Sequence, residues 1–267
     1  MSFLASLTRR WTESRSLVCV GLDPDPKKLP SVVKGSLFEF NRAIIDATAE
    51  FACCFKPQIA YYAAAGAEAE LEKTIRHVKE RHPGIPVILD AKRGDIGSTA
   101  EMYAAEAFDR YGADAVTVNP YMGGDTLEPY LKRADKGVVI LCRTSNSGAR
   151  DLQDLDVGGK KLYRHVAEKA AREWNANRNV MLVVGATYPE ELREIRGAVG
   201  ELPFLVPGIG AQGGDVEAAV RAGKTAGGAG LAVNSSRGII HASSGSDFAE
   251  AAAREARKLR DQINLHR

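Results

Sequence analysis

The segment Asp90-Ala91-Lys92-Arg93-Gly94-Asp95 sets carboxylates and a lysine directly after the apolar run Val87-Ile88-Leu89. If that run is a strand, Asp90 and Lys92 stand two positions apart and share a face. Charges at the end of a buried run are costly unless paired. Lys56, at the end of another apolar run, offers a second cation, and Asp95 a second anion. Together the four would make a neutral cluster of alternating sign. A lysine held between carboxylates can protonate a developing carbanion and stabilise negative charge as it forms. The neighbouring aspartate, set against a substrate carboxylate, would favour its departure. The plainer alternative is a buried ion-pair network that fixes strand register. Strongly coupled charges in a cleft favour the chemical reading.

A second group lies further along the chain. Val206-Pro207-Gly208-Ile209-Gly210-Ala211-Gln212-Gly213-Gly214 is followed by Asn234-Ser235-Ser236-Arg237-Gly238. Glycines let backbone N–H groups approach an oxyanion, and an arginine adds bidentate charge, so the pair reads as a phosphate grip. Gly208 to Gly213 also matches G-x-G-x-x-G. A dinucleotide reading is rejected, because no acidic residue stands at the next strand end to hold a ribose.

These side chains need a scaffold that brings distant segments together. Short apolar, β-branched runs recur at Val18–Leu22, Phe51–Phe55, Ile85–Leu89, Ala115–Val118, Val138–Cys142, Val180–Val184, Pro203–Val206 and Leu231–Val233. Both faces of most runs are apolar, as in parallel strands covered by helices. Helical patterns separate them, among them Ala63–Arg81, Lys160–Trp174 and Asp247–Leu265. Eight strand–helix units without a change of composition predict one (β/α)8 TIM barrel spanning residues 1–267 as a single catalytic domain, with an extra N-terminal helix over residues 2–14. An open doubly wound sheet is the structural alternative. In a barrel the active site gathers at the C-terminal strand ends. There the strands deliver Asp23, Lys56, Asp90 with Lys92, Asn119, Thr144 with Ser145, Pro207, and Asn234 with Arg237; the sixth strand's Gly185-Ala186-Thr187 looks uninformative. The polar stretch Thr144–Gly159 is long enough to be a lid over that face.

Composition narrows the function. A net charge of +2 on 267 residues gives no case for a nucleic-acid or membrane surface. No apolar run approaches the length of a membrane span, and the N-terminal segment does not have the order of a signal peptide, so a cytoplasmic protein is expected. Cys19, Cys53, Cys54 and Cys142 lack zinc-like spacing and read as small buried thiols in a reducing compartment. The five histidines form no H-E-x-x-H or comparable cluster, so a zinc site is not expected.

Taken together, these residues resemble the orotidine 5′-monophosphate decarboxylase family. Its D-x-K-x-x-D-I signature stands as Asp90 to Ile96, and the strand ends agree in order over essentially the whole chain. Arg143-Thr144-Ser145-Asn146 resembles the subgroup of many bacteria. Gly97 departs from the proline of some members, which puts little in doubt. The resemblance implies decarboxylation of orotidine 5′-monophosphate to uridine 5′-monophosphate in pyrimidine biosynthesis, with no metal and no cofactor. It implies that Asp23 and Lys56 bind ribose hydroxyls, that Asp90 abuts the substrate carboxylate and that Lys92 protonates C6. Ser145 would meet the pyrimidine edge and Pro207 would line the base pocket. Gln212, Arg237 and the Ser236 N–H would hold phosphate. Asp95, Ile96 and Thr99 would complete the neighbouring site of a homodimer. Two rival readings stay open: a magnesium-dependent sugar-phosphate barrel, which would need an acidic residue where Lys56 stands, and a non-catalytic nucleotide-binding barrel.

Overall fold

In a computed structural model that describes residues 1–209 and 214–267, the apolar runs form one parallel sheet of eight strands. They are β1 (Val18–Leu22), β2 (Ala52–Pro57), β3 (Ile88–Arg93), β4 (Ala115–Val118), β5 (Gly137–Arg143), β6 (Val180–Val184), β7 (Phe204–Val206) and β8 (Leu231–Ser235). Their order is β2-β1-β8-β7-β6-β5-β4-β3. Parallel bridges Phe55–Val87 and Gln58–Asp90 join β2 to β3, so the sheet closes on itself. That closure excludes the open doubly wound alternative and makes the fold a (β/α)8 barrel.

Helices outside the strands include α1 (Phe3–Glu13), α2 (Leu37–Thr48), α3 (Glu68–Arg81), α4 (Gly97–Ala105), α5 (Glu128–Leu131), α6 (Leu162–Arg172), α7 (Pro189–Val199), α8 (Val216–Gly223) and α9 (Phe248–Asn264). The longer ones bury an apolar stripe against the core, such as Phe40, Ile44 and Ile45 of α2 or Leu71, Ile75 and Val78 of α3. Helix α1 does not belong to a βα unit. Its Phe3, Leu7 and Trp11 are buried, and Phe3 N–H donates to Asp135 O at 2.9 Å just before β5 begins. It therefore covers the end of the barrel where the strands start, leaving the opposite mouth open.

Two local expectations need correction. The helix expected over Ala63–Arg81 is two helices, Ile59–Ala64 and α3, because Gly66 takes φ +62 between them. The third strand begins later than Ile85 and runs on to Arg93, so Asp90 lies within it. The stretch Thr144–Gly159, expected as a lid, has local structure of its own. It contains a 3-10 turn at Ser147–Asp151 and one strand of a small ribbon pairing Asp156–Val157 with Lys160–Lys161.

Candidate active site

Asp90 stands at the centre of the open mouth. Its two carboxylate oxygens separate two lysines. Lys56 Nζ from β2 is 2.9 Å from Oδ2, and Lys92 Nζ is 2.6 Å from Oδ1. On its other side Lys56 lies 3.9 Å from Asp23 Oδ1 at the end of β1. The line Asp23–Lys56–Asp90–Lys92 thus alternates in sign. Asp90 and Lys56 are buried, whereas the Lys92 side chain is 47% exposed. Burial pushes the Lys56 ammonium towards neutrality, but Asp90 and Asp23 outweigh it and raise its pKa above the ordinary lysine value. Burial likewise pushes the Asp90 carboxyl up, yet Lys56 and Lys92 hold it well below the usual carboxylate range. Both groups stay charged because each supplies the other's counter-ion.

The expected pairing of Asp90 with Lys92 is present, but regular strand alternation is not its cause. Lys92 takes φ +46, in the left-handed region, and the pairing of β3 with β4 shifts between Leu89 and Arg93. Such a backbone costs an L-residue on the order of 1–2 kcal/mol. Thr117 of β4 holds it in place. Its hydroxyl accepts from Ala91 N–H at 3.0 Å and Lys92 N–H at 2.8 Å, and donates to Asp90 Oδ1 at 2.9 Å. One side chain fixes both the bend and the carboxylate. Sequence reasoning missed Thr117, since a threonine in a strand is ordinary.

Asp95 does not join this cluster. It accepts from Ile96 N–H at 2.8 Å and forms no ion pair among the described residues. The second carboxylate of the line is Asp23, delivered by β1. Ile96 and Thr99 are exposed and lie away from the cavity.

The cluster forms one wall of a cavity of about 420 Å³. Leu141, Val183, Leu205 and Pro207 supply apolar surface, Thr144, Ser145 and Asn146 a polar edge, and Ser236 with Arg237 the far rim. Its size and mixed lining suit a small polar ligand with one apolar ring. Arg237 is exposed and makes no ion pair among the described residues, which leaves its charge available to an anion. Gln212 lies outside the described residues.

Two glycines and an arginine set the rim. A Cβ at Gly185 would fall 2.9 Å from Ser145 N and Cα, so only glycine lets the end of β6 approach Ser145. Gly21 does the same for Ser236, whose Cβ would lie 2.7 Å from an added methyl. Arg143 is fully buried. It pairs with Asp154 at 3.3 Å, donates to Thr144 O at 3.0 Å and stacks 4.3 Å from the Tyr188 ring. Together with Gln153, which accepts from Thr144 N–H at 2.8 Å, it ties the 144–159 stretch to the mouth.

Comparison with known proteins identifies the scaffold. Residues 16–254 match the family described as "Orotidine 5'-phosphate decarboxylase / HUMPS family". The chain belongs to that family. Within it, the chain is 61% identical to the orotidine 5'-phosphate decarboxylase of Dechloromonas aromatica over the full length of both. It is 59% identical to that of an Azoarcus species, again over both full lengths. Among solved structures, the OMP decarboxylase of Leishmania donovani superposes with a TM-score of 0.86 at 43% identity, covering 99% of this chain and 98% of that one. The orotidine 5'-phosphate decarboxylase / HUMPS barrel is therefore the frame on which the charged line is mounted.

Proposed function

We propose that this chain decarboxylates orotidine 5′-monophosphate to uridine 5′-monophosphate, acting without a metal or cofactor, as one catalytic domain over residues 1–267. The observation that carries the reading is the line Asp23–Lys56–Asp90–Lys92, with its last ammonium half exposed to the cavity. With the pyrimidine bound, the substrate carboxylate lies against Asp90, which the two lysines keep anionic. The bond from C6 to the carboxylate breaks and CO2 leaves. The electron pair stays on C6, where the Lys92 ammonium stabilises it and then delivers a proton. Because Thr117 holds the Lys92 backbone and Asp90 its ammonium in place beforehand, little reorganisation accompanies the charge shift.

The rest of the cavity fits the nucleotide. Asp23 and Lys56 reach ribose hydroxyls, Ser145 the pyrimidine edge, and Pro207 with Leu141, Val183 and Leu205 the ring. The Ser236 N–H and Arg237 take the phosphate. A magnesium-dependent sugar-phosphate reaction is disfavoured by Lys56, a buried cation where such a metal needs an acidic ligand.

We infer a homodimer in which Asp95, Ile96 and Thr99 reach the partner's mouth. Ile96, next to Asp95 in the chain, and Met102 in the helix that follows are exposed apolar side chains that such a contact would bury. The four cysteines are unpaired and buried, which suits the reducing cytoplasm.

The test follows loss of the orotate chromophore when orotidine 5′-monophosphate is added with a strong chelator present. Turnover is expected, and Lys92→Ala should abolish it while uridine monophosphate binding survives. Nucleotide binding without CO2 release by the unaltered protein would overturn the reading, as would turnover that stops on chelation.

A further inference from the structure

The outside of the barrel carries a second convergence of side chains that the mouth does not use. Asp46 lies in the last turn of α2, His77 near the end of α3, and His82 is the residue that caps α3. The Nε2 atoms of both imidazoles converge on one oxygen, Asp46 Oδ1, at 2.7 and 2.8 Å. All three ligand atoms fall within 4.8 Å of one another. The rings meet edge to face at 6.0 Å, and Phe38 braces His77 from the side at 6.1 Å.

The spacing explains why the sequence concealed this. On a continuous helix, residues five apart point about 140° away from each other. His82 has left the helix, with φ −129 and ψ 56, and that turn brings its ring back beside His77. The third group comes from a different helix, contributed by the fold.

Two imidazoles and a carboxylate form a donor set suited to a divalent ion of borderline softness. Zinc bonds of about 2.0–2.2 Å in tetrahedral geometry set neighbouring ligand atoms about 3.3 Å apart. The two histidine–aspartate contacts of 2.7 and 2.8 Å therefore need to lengthen by about half an ångström, and the two imidazole nitrogens, already within 4.8 Å of each other, need to settle at about 3.3 Å to admit the ion. The Asp46 side chain is 44% exposed, so it has room to make that adjustment, and water can reach a fourth position. Helices α2 and α3 both point their carboxyl ends here, and the partial negative charge of those ends favours a cation.

We propose that Asp46, His77 and His82 form a zinc site that ties α2 to α3. Outer helices run antiparallel to the strands, so the site lies at the end of the barrel opposite the mouth that holds Lys92. Its role is to clamp neighbouring βα units, at the end of the barrel where stability, not chemistry, is served. The site is independent of the catalytic reading.

Titration of the chelator-treated full chain with zinc chloride, followed by calorimetry, is expected to show one such site per chain, and zinc is expected to raise Tm. His77→Ala and His82→Ala should each weaken binding by at least about tenfold and abolish the rise in Tm. His165→Ala, at a histidine of α6 outside the cluster that bonds Val157 O, should change neither. Cobalt(II) in place of zinc should give the visible absorption of a four-coordinate ion, lost in the same variants. If His77→Ala loses its native circular dichroism, His82→Asn, with a residue that suits a helix end, carries the same comparison. Absence of zinc binding, or binding indifferent to both substitutions, would reduce the cluster to a histidine–aspartate hydrogen-bond pair and overturn the proposal.

Discussion

Asp90 is the residue on which the charges at the mouth depend, since it faces both lysines and accepts from Thr117. Its carboxyl is held below the ordinary value of 3.8, and the Lys56 ammonium above 10.5. The signs fix a pH window. A depressed carboxylate contributes stability that is present above its unfolded pKa and lost as the pH falls through the folded one. A raised lysine contributes stability that is present below its unfolded pKa and lost as the pH rises through the folded one. The contribution of the pair should therefore stay level from about pH 5 to about pH 9 and decline in stronger acid. Denaturant midpoints of the unaltered protein and Asp90→Asn, compared across pH, check this; a gap that narrows between pH 6 and 8 would contradict it. Arg237 acts at a distance from the reacting carbon. Arg237→Ala is expected to lower kcat/KM by about 2–4 kcal/mol, and steady-state kinetics with full activity retained would remove it from the phosphate grip.

At the scale of elements, the mouth depends on close approaches between neighbouring βα units. β6 contributes no polar side chain to the cavity, yet its end decides where Ser145 sits, because Gly185 allows backbone contact. Gly185→Ala is expected to push the Ser145 segment outward and raise KM for the nucleotide several-fold. Thermal unfolding of the same variant should change little. Unchanged KM would show that the segment adjusts without loss. The positioning role of Gly185, and the burial of an Arg143 that the motif had already picked out, were not legible for a common reason. A glycine after a strand and an arginine before a polar loop are ordinary in sequence, and their importance lies in what the adjoining unit places against them. Thr117 belongs with them. By contrast, the eight strands were legible because each is a short apolar run of a kind that only a covered parallel sheet buries on both faces.

For the whole molecule, the position of Asp95 carries a consequence. It forms no ion pair among the described residues, accepts instead from the N–H of exposed Ile96, and does not line its own chain's cavity. If it completes the partner's mouth, two inactive variants should rescue each other. Asp95→Ala mixed with Lys92→Ala, after dissociation and reassociation, is expected to recover about a quarter of native activity, because half the dimers are mixed and each of those has one intact site. No recovery on mixing, with dimers formed, would place Asp95 in its own chain's site.

The sequence by itself determined the barrel, its extra N-terminal helix and the strand ends that carry Asp23, Lys56, Asp90, Lys92 and Arg237. Hydrophobic periodicity and motif spacing are local properties, and these features follow from them. Tertiary structure alone decided that Asp23 and not Asp95 is the second anion beside Lys56, and that Thr117 holds a left-handed Lys92. It also brought His77 and His82 to Asp46. Each of these depends on which units become neighbours when the sheet closes, and closure joins residues that the chain order keeps apart.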